Sequence, residues 1–258
     1  MSQINFLCQG QGPPVILLHG MYASMHDWDT LLPILADSGY QVFAPDLPGH
    51  GESAWLDNPQ AYRVENIAAE LSAWIESLHL PEPPRLVGHS LGGYISLQYT
   101  ICHPQQVARL VLVDPLYNAG QLSPLLLPLV WQPRLAGQAV RRIPPDWVYT
   151  FMGWDVTPRT NRAPALRQQI ASDFKRTDPD VIHLLADIPD LTPHVSSLAV
   201  PTLVIWGESD PTLHPGSFPT LAQAIPGAHR HPIAGCGHQP HIDLPERTNR
   251  LVVEFFST

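Results

Sequence analysis

Two kinds of apolar spacing alternate along most of the chain. The uninterrupted apolar run at 15–18 and the mostly apolar run at 108–113 are typical of strands that are buried on both faces. Between them, the segment 65–78 carries apolar residues three or four positions apart, which is the spacing of one helix face. The residues on that face are Ile67, Leu71, Trp74, Ile75 and Leu78. The alternation predicts an α/β fold with a mostly parallel central sheet covered by helices on both faces.

The same two patterns place the other elements of this sheet. Further strands are predicted at 4–8, 41–44, 86–87, 202–206 and 228–233. Further helices are predicted at 28–35, 94–101 and 245–256.

The alternation stops between residues 116 and 195. No run of the buried-strand type occurs there, whereas 163–174 and 180–186 have helical spacing. Because the strand pattern resumes at 202, we expect the segment to be an insertion between two strands of one sheet. The sequence therefore predicts an α/β core formed by 1–115 and 196–258, with an inserted helical cap at 116–195.

Composition narrows the class of protein. Apolar residues make up 44% of the chain and charged residues 14%, as in a compact globular protein. The formal net charge is −9 and no basic cluster is larger than a pair such as Arg141-Arg142, which argues against a nucleic-acid partner. Three cysteines without a C-x-x-C spacing argue against a disulfide framework or a zinc site. Without a basic stretch before a long apolar core, or any apolar run of 18 residues, we expect a cytoplasmic protein with no transmembrane segment.

The pentapeptide Gly88-His89-Ser90-Leu91-Gly92 is the first candidate for chemistry. It follows a predicted strand and precedes a helical pattern. A G-x-S-x-G motif between a strand and a helix predicts a tight turn that presents the serine oxygen above the sheet. Ser90 is therefore the candidate nucleophile, whereas His89 is expected only to fill the turn.

A serine hydroxyl needs a base and an orienting carboxylate. Both should lie at the carboxyl ends of strands, where ligands bind in open α/β sheets. Asp210 follows the predicted strand 202–206, and His238 follows the strand 228–233 in a glycine-containing loop. The backbone N–H groups of Leu91 and Met21 are the candidate oxyanion donors, Met21 because it lies in the turn after the strand 15–18.

Five motifs in this order resemble the α/β-hydrolase superfamily, and they span nearly the whole chain outside 116–195. The motifs are His19-Gly20, Asp46-Leu47-Pro48-Gly49-His50-Gly51-Glu52-Ser53, Gly88-His89-Ser90-Leu91-Gly92-Gly93, Gly207-Glu208-Ser209-Asp210 and Gly235-Cys236-Gly237-His238. The resemblance implies a catalytic triad of Ser90, Asp210 and His238, and structural roles for Asp46 and His50. It sets the chain apart from the dehalogenases and epoxide hydrolases of the superfamily, whose nucleophile is aspartate. The N-terminal region is one strand short of an eight-stranded member.

Two other groups of residues compete for a role in the site. Asp114 also follows a strand and could replace Asp210 as the acid, although the following proline favours a structural role. His229, His231 and His241 lie near His238 in sequence and raise the question of a metal site. Because no carboxylate motif such as H-E-x-x-H accompanies them, no metal ion is predicted.

Apolar residues of the predicted cap form either the cap's own core or the wall of a substrate pocket. The pocket candidates are Leu126, Trp131, Trp147, Phe151 and Trp154. The sequence thus predicts a serine hydrolase that cleaves a small or medium apolar carboxylic ester through an acyl-enzyme, with a small-molecule substrate and no cofactor. Two alternatives stay open: a C–C bond hydrolase of the vinylogous diketone type or a related lyase, and a ligand-sensing receptor with slow turnover. The oligomeric state is not predicted.

Overall fold

A single sheet forms the centre of the protein. The computed structural model describes residues 3–124, 126–144, 147 and 162–258, and seven strands lie in this part of the chain. The strands are β1 Phe6–Gln9, β2 Pro14–Leu18, β3 Gln41–Pro45, β4 Arg85–His89, β5 Arg109–Val113, β6 Thr202–Gly207 and β7 His229–Ile233. They lie in the order β1-β3-β2-β4-β5-β6-β7, where β1 pairs antiparallel with β3 at one edge and the other neighbouring pairs are parallel. The predicted mostly parallel sheet is confirmed.

Helices follow most strands along the chain. The α-helices in the described residues are α1 Leu31–Asp37, α2 Val64–Ser77, α3 Ser90–Cys102, α4 Leu127–Trp131, α5 Pro133–Arg142, α6 Pro164–Arg176, α7 Ser217–Ala224, α8 Pro240–Asp243 and α9 Pro245–Phe256. The 3-10 segments are Met25–Trp28, Pro59–Ala61, Pro104–Gln106, Ala119–Gln121, Pro179–Leu185 and Thr192–Ser197.

Successive residues of each central strand enter different apolar layers, because side chains alternate between the two faces of a sheet. In β2, Ile16 and Leu18 pack in the layer that α2, α3 and α7 cover. Val15 and Leu17 pack in the opposite layer, which α1 and α9 cover. All four side chains are fully buried, so the uninterrupted apolar run is explained by burial on both faces.

Several elements differ from the sequence-based expectations, and the short helices α4, α5 and α8 are among those that the sequence does not predict. α3 begins at Ser90 and not at 94, because Gly92 packs tightly against the end of β2 within the first turn of the helix. The expected helix at 28–35 is divided into the 3-10 segment Met25–Trp28 and α1. The helix α7 was not predicted, since its apolar residues follow a loop rich in glycine and proline.

The described part of 116–195 contains α4, α5, α6 and three 3-10 segments, and no strand. Its buried residues, such as Val181 and Leu184, belong to the same apolar layer as α2 and α3. The segment therefore packs onto one layer of the core, and its role as a cap stays a prediction. Among the described helices, none combines the length and the apolar character that crossing a bilayer requires.

Candidate active site

Ser90 lies where β4 ends and α3 begins, with a backbone φ of 50°. This left-handed conformation is unfavourable for a residue with a Cβ atom, so the surrounding structure must hold it. A Cβ atom on Gly88 would collide with the carbonyl oxygen of Gly92, and one on Gly92 would collide with the carbonyl oxygen of Leu18. Both glycines are therefore required for the close strand–helix contact that supports the turn.

His238 lies in the loop between β7 and α8, within hydrogen-bond distance of two predicted partners. Its Nε2 atom is 2.9 Å from Ser90 Oγ, and its Nδ1 atom is 2.6 Å from Asp210 Oδ2. An ionised carboxylate can only accept, so Nδ1 carries the proton and Nε2 accepts from the serine hydroxyl. The structure thus joins three residues, 28 and 148 positions apart in sequence, into one hydrogen-bonded chain.

The Asp210 carboxylate is buried and fixed by the loop that follows β6. Its Oδ1 atom accepts the backbone N–H of Thr212 at 2.7 Å and that of Leu213 at 3.0 Å. These bonds leave Oδ2 for His238. The two backbone donors thus fix the orientation of the carboxylate towards the imidazole.

Asp114, the rival acid, is at the end of the neighbouring strand β5. Its Oδ1 atom accepts the backbone N–H of Gly207 at 2.9 Å, which joins the ends of β5 and β6. Its carboxylate also lies within 4.8 Å of the facing atoms of Asp210 and His238. Asp114 therefore borders the site, but the residue that accepts the 2.6 Å hydrogen bond from His238 Nδ1 is Asp210.

The turn that contains Met21 packs directly against the nucleophile. A Cβ atom on Gly20 would lie 3.3 Å from the Cβ atom of Ser90. Among the described residues, the N–H of Met21 and the N–H of Leu91 donate no backbone hydrogen bond. Both groups are thus candidates to bind a substrate oxygen beside Ser90.

Asp46 holds the loop that follows β3 together. Its Oδ1 atom accepts the backbone N–H of Met25 at 2.8 Å. Its Oδ2 atom accepts the backbone N–H of Glu52 at 2.9 Å and the Asn5 side chain at 3.0 Å. These contacts fit the structural role that the resemblance implies.

Two buried histidines, His19 and His50, bond to backbone groups beside the site. His19 Nδ1 donates to the carbonyl oxygen of Gly20 at 2.7 Å, and its Nε2 accepts the N–H of Leu47 at 2.9 Å. His50 Nδ1 lies 3.1 Å from the carbonyl oxygen of Pro48. Burial lowers the pKa of His50 to about 3, so its ring is neutral at physiological pH.

A polar cluster that the sequence did not predict lies behind the turn. His89 Nε2 donates to the backbone carbonyl of His238 at 2.8 Å, so His89 supports the loop that carries the base. The Asp27 Oδ2 atom lies 3.8 Å from His89 Nδ1 and 3.7 Å from His241 Nε2. Burial lowers the pKa of His89 well below its usual range and that of His241 to about 3, and it raises the pKa of Asp27.

Three of the five predicted pocket residues lie in the described part of the chain, and the pocket stays a prediction. Leu126 is partly buried against the layer that covers α3. Trp131, at the end of α4, is 71% exposed, and Trp147 is 59% exposed. Phe151 and Trp154 lie outside the described residues.

A hollow of about 370 Å³ lies between α2 and the C-terminal half of α3, where Gln98 and Cys102 line it. At 1.5 Å per helical residue, Gln98 is roughly 12 Å along the axis from Ser90. This hollow is therefore separate from the candidate nucleophile.

The fold and the hydrogen-bonded serine, histidine and aspartate define a hydrolase of the α/β type. The model of the alpha/beta hydrolase fold family matches residues 13–245, and the chain belongs to this family. A similar curated protein is the pimeloyl-(acyl-carrier protein) methyl ester esterase of Aeromonas hydrophila. It is 30% identical over 257 residues, which cover 95% of this chain and 96% of that protein.

Solved structures of the same fold agree with this membership. A thermophilic esterase from Thermogutta terrifontis superposes with a TM-score of 0.86 at 26% identity, covering 99% of this chain and 93% of that chain. A bromoperoxidase from Bacillus anthracis also has a TM-score of 0.86, but at 22% identity it shows the fold alone, over 100% of this chain and 96% of that chain.

Proposed function

We propose that this chain is a serine esterase that cleaves a small or medium apolar carboxylic ester through an acyl-enzyme. The observation that carries the proposal is the unbroken hydrogen-bond chain from Ser90 Oγ through His238 to Asp210, with bonds of 2.9 and 2.6 Å. The names of similar proteins support an ester as the substrate class, since both the Aeromonas relative and the Thermogutta structure are esterases.

The reaction follows from the protonation states of these groups. Ser90 Oγ attacks the ester carbonyl while its proton moves to His238 Nε2. The Asp210 carboxylate holds the imidazole in the required tautomer and stabilises its positive charge. His238 then gives the proton to the leaving alkoxide, and an acyl-Ser90 ester remains. A water molecule, deprotonated by His238, releases the carboxylic acid and restores the serine.

Negative charge develops on the carbonyl oxygen during the attack. The N–H groups of Met21 and Leu91 are proposed to bind this oxygen, and each such donor stabilises a transition state by about 3 kcal/mol. The chemistry requires no cofactor, because the nucleophile, the base and the oxyanion donors all come from the chain.

The segment 116–195 is proposed to form a cap that selects the acyl group. It contacts the turn that contains Met21, since the ring of Tyr22 in that turn stacks on Phe174 of α6 with centroids 4.7 Å apart. Tyr22 also donates to the carbonyl oxygen of Pro179 at 3.2 Å. A change in this segment can therefore reach Met21, the residue that precedes Tyr22 in the chain.

A profile of p-nitrophenyl esters of increasing acyl length tests the proposed function, with a thioester and a vinylogous diketone included. We expect turnover of short and medium esters, a fall for long chains, and no diketone cleavage. Ser90→Ala should abolish turnover, whereas Ser77→Ala, a serine on α2 away from the site, serves as the matched control. Cleavage of the diketone in preference to the esters would replace the proposal with C–C bond hydrolysis.

The charge of the proposed cap favours a second, narrower candidate substrate, an ester on an acyl chain that a carrier protein holds. Eight of the 14 basic residues lie in 116–195, against only seven of the 23 acidic residues. Basic side chains complement an acidic partner surface and speed its encounter at low salt. A higher kcat/KM for the carrier-bound ester than for the free ester, lost at high salt, would support this substrate. Equal values at low salt would exclude it.

A further inference from the structure

Asp27, His89 and His241 bring three ligand-type atoms together in the interior, behind the nucleophile turn. Asp27 Oδ2 lies 3.8 Å from His89 Nδ1 and 3.7 Å from His241 Nε2, and one ligand-type atom from each of the three residues lies within 4.8 Å of the other two. The three residues come from separate parts of the chain: the 3-10 segment after β2, the end of β4, and α8. They share no residue with the proposed triad.

Each of these atoms is buried and lacks a hydrogen-bond partner within the described part of the chain. The separations of 3.7 and 3.8 Å from Asp27 Oδ2 are too long for hydrogen bonds. An unsatisfied polar atom in the interior destabilises the fold, so three of them in one place call for a common explanation.

The separations suit a single metal ion between the three atoms. Three atoms within 4.8 Å of one another leave a point no more than about 2.8 Å from each, whereas Zn²⁺ bonds to histidine nitrogen at about 2.0–2.1 Å, so an inward shift of less than about 1 Å completes the site. His89 has the second contact that metal-binding histidines make, because its other nitrogen donates to a backbone carbonyl, that of His238.

The neighbouring charges permit a cation at this point. Arg162 is the nearby positive group, and its guanidinium is paired with the Asp243 carboxylate at 2.7 Å. The Asp27 carboxylate would supply one negative charge to the ion. Two imidazoles and one carboxylate suit first-row divalent ions such as Zn²⁺, Co²⁺ and Fe²⁺ better than Mg²⁺ or Ca²⁺, which prefer oxygen ligands.

We propose that Asp27, His89 and His241 form a binding site for one divalent transition-metal ion of the Zn²⁺ class. In this proposal the ion has a structural role and takes no part in ester cleavage. It would link the three parts of the chain that surround the turn at Ser90, and through His89 it would support the loop that carries His238.

Metal binding to the chelator-treated full chain tests this site. The protein is incubated with Zn²⁺, passed through a desalting column and measured for zinc per chain by elemental analysis. His229 and His231 on β7 are the matched control, because this half-exposed pair could hold an adventitious surface ion. We expect one equivalent in the wild type and in the His229→Gln/His231→Gln variant. His241→Gln and Asp27→Asn should each weaken binding at least about 100-fold.

Two results would overturn the proposal: no retained zinc in the wild type, or loss of the zinc in the His229→Gln/His231→Gln variant. Both use proteins with an intact core, so they decide the question even if a core variant fails to fold. Substitution with Co²⁺ gives a second readout, since its visible absorption bands should appear in the wild type and be absent in His241→Gln. Ester turnover is measured separately, and its failure would refute the esterase proposal without affecting this one.

Discussion

Asp210→Asn isolates the contribution of the proposed triad acid, because the amide keeps most of the local structure. Its carbonyl oxygen can still accept the N–H groups of Thr212 and Leu213, as Oδ1 does now. The amide nitrogen then faces His238 Nδ1, where a carboxylate oxygen stands at 2.6 Å. Two donors cannot bond to each other, so the imidazole adopts the tautomer that carries its proton on Nε2. In that tautomer it cannot accept the proton of Ser90.

The expected loss in kcat is about 10⁴-fold, the size of effect that the same change has in serine proteases, or about 5.4 kcal/mol in the transition state. KM should change little. The assay is the initial rate of hydrolysis of a short p-nitrophenyl ester, with thermal unfolding measured in parallel to show that the fold is intact. Asp114→Asn is the matched control, since that carboxylate bonds to the backbone N–H of Gly207, and we expect a loss of less than about 10-fold. A larger loss from Asp114→Asn than from Asp210→Asn would refute the assignment of the acid.

Three further predictions concern the turn, the buried histidines and the oxyanion donors. Gly92→Ala should prevent stable folding, measured as loss of soluble protein and of near-ultraviolet dichroism, because the added Cβ meets the Leu18 carbonyl oxygen. Lowering the pH from 7 to 5 should lower the free energy of unfolding by roughly 2 kcal/mol through His50 alone, since its folded pKa of about 3 keeps it neutral while the unfolded chain takes up a proton near pH 6.5. Denaturant titrations of His50→Gln should show a flatter pH dependence, and an unchanged slope would contradict this reasoning. Met21→Pro, which removes one N–H, should lower kcat about 100-fold or more with little change in KM, whereas Met21→Leu should retain activity.

The sheet and the hydrogen-bonded Ser90, Asp210 and His238 could be predicted because their signals are local. The central strands are marked by runs of buried residues, and each of the three side chains follows a strand whose carboxyl end lies at the same edge of the sheet. Glycines at 88 and 92 mark a turn that leaves no room for a side chain at either position. The membership of the α/β-hydrolase family, expected from the motifs, is confirmed by the family model over residues 13–245.

The cluster of Asp27, His89 and His241 could not be predicted, because no spacing in the sequence relates positions that meet only in the folded chain. A weak signal existed: Asp27 precedes Trp28, a fully buried residue, and a carboxylate in such a place needs a partner. The side chains of 116–195 that face away from the core could not be predicted either. Apolar composition predicts burial, but it does not tell which side of a short helix faces the core, and Trp131 proves to be mostly exposed.

Labelling with a fluorophosphonate probe tests the central claim most directly, because such probes phosphonylate a serine only when a base has activated it. The adduct is counted by intact-protein mass spectrometry and located by peptide mapping. The account predicts one adduct per chain on Ser90, none in Ser90→Ala, and strongly slowed labelling in His238→Gln. An unlabelled wild-type protein, or an adduct on another residue that persists in Ser90→Ala, would contradict the claim that Ser90 is the nucleophile.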